Sequence, residues 1–177
     1  MVEMEDGPDP RFRTLTADAL RALPDGQLAA AVYHHVLHHI LPDLDHEVEI
    51  VAHLPKAVAA IYTTTLLENE VVNGGFNQFF WNSTGKLALM ALEGLEVIGA
   101  LRHAAILRLA MATYESERVV LEQFRTRGTS AAFTESYKHT SLGALDEQYH
   151  ELGPDALAPV QVRFIRDHLD EFNSCAA

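Results

Sequence analysis

The chain has 177 residues, 48% of them hydrophobic, with 25 acidic against 13 basic side chains and a net charge of −12. That is enough apolar material for one domain with a real core, but no apolar run is long enough to span a bilayer. The acidic balance excludes direct nucleic-acid binding as a leading reading, because phosphate contacts need a basic face.

Residues 1–13, MVEMEDGPDPRFR, lack an apolar signal core and read as a flexible acidic lead-in to a cytoplasmic protein. A single helical domain is expected over residues 14–174. Thr16 can cap a short helix, Ala17 to Leu23, which Pro24 ends. Asp25 then opens a helix to about Leu41, with Pro42 as its stop. Leu28, Val32, Tyr33, Val36, Leu37 and Ile40 share one arc of that helix. A third helix is expected from Leu54 to about Val72, with Pro55 near its first turn. A short one follows over Phe76–Trp81, and another over Lys86–Ile98 with Leu87, Met90, Ala91 and Leu95 at helical spacing. Residues 101–125 form the longest candidate, alanine-rich at AAILRLAMA, with Gly128 as its C-cap. Helices over Leu142–Leu152 and Leu157–Phe172 flank Gly153-Pro154. Strand signals are scarce and no long repeat is evident. The fold class is therefore all-α, a bundle of about seven to eight helices with short connections. The one cysteine, Cys175, cannot form an intrachain disulfide.

Two short stretches are candidates for chemistry. HHVLHH places His34/His38 and His35/His39 as i,i+4 pairs able to chelate a metal. On the wheel His34 and His38 fall opposite the apolar arc, and His35 and His39 lie at its edge. A solvated polar face near a helix C-terminus is the reading preferred over a metal site, and no cofactor is assigned. DLDHEVEIV carries Asp43, Asp45, Glu47 and Glu49 at alternate positions. If extended, it lines four carboxylates along one edge, a row that can imitate a phosphate strand. No P-loop, dinucleotide fingerprint, nucleophile elbow or C-x-x-C is present, so no catalytic residue is assigned.

The stretch ENEVVNGGFNQFFWNSTG, residues 68–85, is the most distinctive. In projection Glu68 and Asn69 point towards the inner face of the preceding helix. They are expected to bond the backbone donors freed at Asn73-Gly74-Gly75. Asn73 or Gly74 can take the left-handed conformation that ends this helix, and Gly75 permits a sharp reversal. Phe76, Phe79 and Phe80 form one apolar face, while Gln78 and Asn82 share another and can bond neighbouring backbone. The expectation is a packed helix–turn–helix corner.

The pattern made by Glu68, Asn73, Gly74, Gly75, Phe76, Gln78, Phe79, Phe80, Asn82 and Gly85, supported by Leu145–Tyr149 (LDEQY), resembles the bacterial DNA-mimic protein family. The resemblance covers about residues 50–172. It implies an all-helical, acidic homodimer that engages a DNA-binding protein such as a transcription factor. The expected function is a non-enzymatic interaction protein that occupies a basic partner surface through Asp43, Asp45, Glu47 and Glu49, with Asp167, Asp170 and Glu171 on the last helix. A toxin-neutralising immunity protein is one alternative. A metal- or small-ligand-binding protein or enzyme using the histidine helix is the other.

Overall fold

The computed structural model describes residues 7–153 and 157–175. Among the described residues every regular element is helical and no strand occurs, so the all-α expectation holds. The α-helices are α1 (Ala17–Ala22), α2 (Leu28–Ile40), α3 (Glu47–His53), α4 (Lys56–Trp81), α5 (Ala88–Val97), α6 (Leu101–Arg125), α7 (Ser130–Ser136), α8 (Gly143–His150) and α9 (Ala158–Asp167). Short 3₁₀ turns join several of them.

The core is one continuous cluster around α4. Ala57, Val58, Ile61, Leu67, Val71 and Phe76 of this helix are completely buried. They meet the arc read from the sequence in α2, where Leu28, Val32, Val36 and Ile40 are equally buried. α5 lies close against α4 because Gly94 has no side chain. A Cβ there would stand 3.1 Å from the Ala60 backbone, a separation only glycine allows without displacement. Polar bonds inside the cluster are few and specific. Thr63 and Thr64 donate to the carbonyls of Ala59 and Ala60 (2.8 and 2.7 Å), and Gln161 of α9 donates to the hydroxyls of Thr64 and Thr65 (2.9 and 3.1 Å).

The N-terminal half keeps most of its expected boundaries. Thr16 caps α1 by accepting from Ala19 N–H at 3.1 Å. Part of the lead-in, residues 1–6, lies outside the described residues. From Asp9 onward it forms a turn over Pro10–Phe12 whose Phe12 enters the core, followed by fully buried Leu15.

The stretch after Pro42 departs from expectation. Leu41–His46 forms a 3₁₀ turn, broken only at Asp43 (φ −150°, ψ 68°), and leads straight into α3. Proline is tolerated where a helical turn starts, so Pro42 ends α2 without ending helical structure. Over so few residues an alternating pattern also satisfies a helix. Val51 is buried, and Val48 and Ile50 are partly covered by the core.

The C-terminal half adds α7, capped by Thr129 accepting from Ala132 N–H at 3.1 Å. α9 stops at Asp167, and Phe172 reaches full burial through the following turn, Leu169–Cys175. The Cys175 side chain and Pro154 lie outside the described residues.

Candidate functional site

Gly74 and Gly75 leave helical geometry and divide α4 into two helical segments at a kink, where the sequence predicts a break. Gly74 is non-helical (φ −155°, ψ 22°), and Gly75 alone of the two takes a positive φ (73°, with ψ −177°). That region is open essentially to glycine only. The left-handed role expected of Asn73 or Gly74 therefore falls on Gly75. A side chain at Gly75 would also collide with the carboxylate of Asp146 in α8. This carboxylate occupies the space because its Oδ1 accepts Phe76 N–H at 2.7 Å, one of the donors freed by the break. The carbonyl of Gly74 accepts from Tyr137 Oη–H at 2.7 Å. Asn77, buried on the next turn, donates to Ser136 Oγ at 2.8 Å.

Asn69 does not take the inward place expected of it. Glu68 is half-buried and accepts from the buried Tyr149 hydroxyl of α8, whereas Asn69 is exposed. Gln78 and Asn82 find a different partner. Both donate to Glu70 Oε2, at 2.8 and 2.9 Å, and Asn73 donates to Gln78 Oε1 at 3.2 Å. Carboxylate acceptors are stronger than carbonyls, and Glu70 stands 8 residues before Gln78 and 12 before Asn82, across the kink. Phe76, Phe79 and Phe80 enter the core as the spacing predicts. Gly85 lies against the Phe80 backbone, its N–H donating to Asn82 O at 3.2 Å.

Electrostatics follow from this burial. Desolvation raises the Tyr149 hydroxyl pKa, and the Glu68 carboxylate raises it further. Burial raises the Asp146 carboxyl above its ordinary range, against the lowering effect of the Phe76 N–H bond. His103 stands edge-on to Tyr149 at 5.2 Å, and burial lowers its pKa, with Arg102 adding to the effect. Asp146, Tyr149, Glu70, Tyr137, Asn77, Gln78 and Asn82 all bond within the chain, so the corner is built to hold helices together. Asp146, Tyr149, Glu70 and Tyr137 were not read from the sequence as part of it. Asp146 and Tyr149 sit at i,i+3 within LDEQY, and that spacing was the available signal.

The acidic candidates divide in two. Asp43, Asp45 and Glu49 are exposed around the start of α3, so they follow a helical turn and not the extended edge expected of them. Glu47 is withdrawn from this set because it accepts from Tyr62 Oη–H at 2.7 Å and ties α3 to α4. Residues 41–55 contain no lysine or arginine. Asp45 and Glu49 form no ion pair among the described residues, and Asp43 bonds only the exposed His46 imidazole at 2.8 Å. Asp167, Asp170 and Glu171 are also exposed, but they line a shallow cleft with Arg21, Arg166 and His168. Arg166 is spent on Asp25 (2.7 Å) and the carbonyls of Leu20 and Leu23 (2.9 and 2.6 Å).

The four histidines do not form the solvated face expected of them. His35 is completely buried, His34 and His38 are half-buried, and only His39 is exposed. Three of them bond the backbone of residues 9–12, which covers that side of α2. Among the described residues no three His, Cys, Asp or Glu side chains converge as metal ligands.

The family model described as DMP19-like protein matches residues 52–168, so the chain belongs to that family. The matched span contains the whole glycine corner and both α8 residues that close it. It leaves out α2 and its histidines. Neither curated proteins nor solved structures give a match.

Proposed function

We propose that this member of the DMP19-like family is an acidic, non-enzymatic interaction protein that binds the basic, DNA-contacting surface of a protein partner in place of nucleic acid. One observation carries the reading. Asp43, Asp45 and Glu49 are exposed across the 3₁₀ turn after α2 and the start of α3, in a stretch, residues 41–55, without lysine or arginine. Asp45 and Glu49 form no ion pair among the described residues and Asp43 only an exposed one with His46, so these carboxylates are available to a partner's lysines and arginines, and such pairing steers encounter and sets specificity. The family match and the resemblance to DNA-mimic proteins give this chemistry its expected target, a DNA-binding protein. A second copy of the chain belongs to the same proposal. The long α6 exposes Leu101, Leu109 and Val119 along one side, and a homodimer would cover them.

The test is capture from native lysate at low ionic strength, followed by competition with duplex DNA. The expected result is a basic DNA-binding protein that is released both by salt and by the duplex. Release by salt but not by DNA would move the assignment to a basic partner of another kind, such as a toxin. Capture that is insensitive to both would overturn the proposal.

A further inference from the structure

α2 holds the N-terminal segment by three imidazoles that reach 23 to 29 residues back along the chain. His34 Nδ1 accepts the N–H of Asp9 at 3.2 Å, His35 Nδ1 stands 3.0 Å from Phe12 O, and His38 Nε2 stands 2.9 Å from Asp9 O. These partners fix the protons. A ring nitrogen facing a carbonyl must donate, and one facing an N–H must accept. His34 therefore makes its bond only while Nδ1 carries no proton. His35 donates from Nδ1, which leaves Nε2 as its basic nitrogen. That Nε2 is the one buried side-chain nitrogen or oxygen without a hydrogen-bond partner among the described residues. A proton there would place a charge, and a donor without an acceptor, in a fully covered site.

We propose that residues 9–15 form a pH-gated strap, closed over α2 while His35 is neutral and released when it is protonated. Release would withdraw Phe12 and Leu15 from the core and uncover the His34 ring that Phe12 lies against.

The surrounding charges do not rescue a protonated His35. On the strap, Arg11 occupies the Asp9 carboxylate at 2.7 Å and holds its pKa down at about 2, and Arg13 follows. His34, His38 and His39 stand on α2 itself, the last edge-on to His35 at 4.9 Å. From α3, Glu49 and His53 share a cleft with His39. Asp43 and His46 of the turn after α2 are bonded to each other. α4 brings Tyr62 against Tyr33, and α9 brings the Arg166–Asp25 pair. Burial is accordingly the first cause of a lowered His35 pKa and outweighs the raising effect of the Phe12 and Arg13 backbone, while His39 and His38 lower it further. A histidine with a lowered pKa in the docked state favours docking fully above its ordinary value of 6.5. That contribution is lost as pH falls below 6.5.

Hydrogen exchange, corrected for the intrinsic effect of pH, tests the strap against α4 at about pH 7.5 and about pH 5, on either side of the histidine range. Phe12 N–H and Arg13 N–H, bonded to Asp9 O (3.1 Å) and Pro10 O (3.4 Å), report closure. Acidification is expected to cut their protection about ten-fold while α4 stays protected. His35→Asn keeps a donor towards Phe12 O but cannot titrate, so it should remove most of this response. His39→Asn should keep it. Strap protection that is unchanged in the wild type, or lost in step with α4, would overturn the proposal whatever the variants do. A full response in His35→Asn would also overturn it. None of these outcomes depends on the partner proposed above.

Discussion

The glycine corner and the turn leading into α3 are both rich in polar side chains, and they spend them in opposite ways. At the corner, Asp146, Glu68, Glu70, Tyr137 and Tyr149 are all bonded within the chain. Around α3, Asp43, Asp45 and Glu49 face water, and only Glu47 is committed inward. A polar group consumed by the fold has nothing left to offer a partner, whereas an exposed charge costs the fold little and remains free to bind. The corner therefore accounts for the architecture, and the α3 edge is the better place to look for recognition.

The comparison can be broken first at Gly75. Gly75→Val forces a side chain into a glycine-only conformation, at about 1–3 kcal/mol. It also displaces the Asp146 carboxylate from Phe76 N–H, at about 1.5–3 kcal/mol for a hydrogen bond to a charged group. Chemical denaturation should show a loss of about 2.5–6 kcal/mol, or no folded protein. Stability near the wild type would mean that the corner does not hold the fold. Tyr149→Phe comes next, with an expected loss of about 1–3 kcal/mol, since it removes the hydroxyl that Glu68 accepts from within a buried site.

Asp146→Asn should be milder, because its side-chain oxygen can still accept from Phe76. Its clearer effect is on pH dependence. The raised Asp146 pKa means that the folded state favours the protonated acid. This group's contribution is therefore full below the ordinary value of 3.8 and is lost as pH rises through the raised value. Asp146→Asn should flatten that part of the stability–pH curve, and an unchanged curve would show that the carboxyl is not desolvated as described. The smallest effect on stability is expected from Asp43→Asn/Asp45→Asn/Glu49→Gln, which touches no bond except the exposed one to His46. Its melting temperature should match the wild type.

Much of this contrast was legible in the sequence, and its gaps have physical causes. Helical periodicity located the buried arc of α2 and the three phenylalanines after the glycines, because those faces are decided by burial alone. Asp146 and Tyr149 were missed as corner residues because their partners lie 70 and 81 positions away. No local pattern announces a pairing at that separation. The histidines were misjudged for a related reason. A helical wheel shows only the helix it is drawn for, and the chain that covers His34, His35 and His38 comes from residues 9–12. The stretch over residues 43–51 failed differently, since a short alternating run is compatible with both a strand and a helix.

The most direct test of the division between corner and edge is the affinity for the captured basic partner, measured at low and moderate salt for two variants. The account predicts that Asp43→Asn/Asp45→Asn/Glu49→Gln keeps its melting temperature but loses both affinity and salt dependence. It predicts that Tyr149→Phe melts earlier and binds as the wild type does. If the charge variant bound normally and the folded Tyr149→Phe protein did not, recognition would belong to the corner and the account would be contradicted.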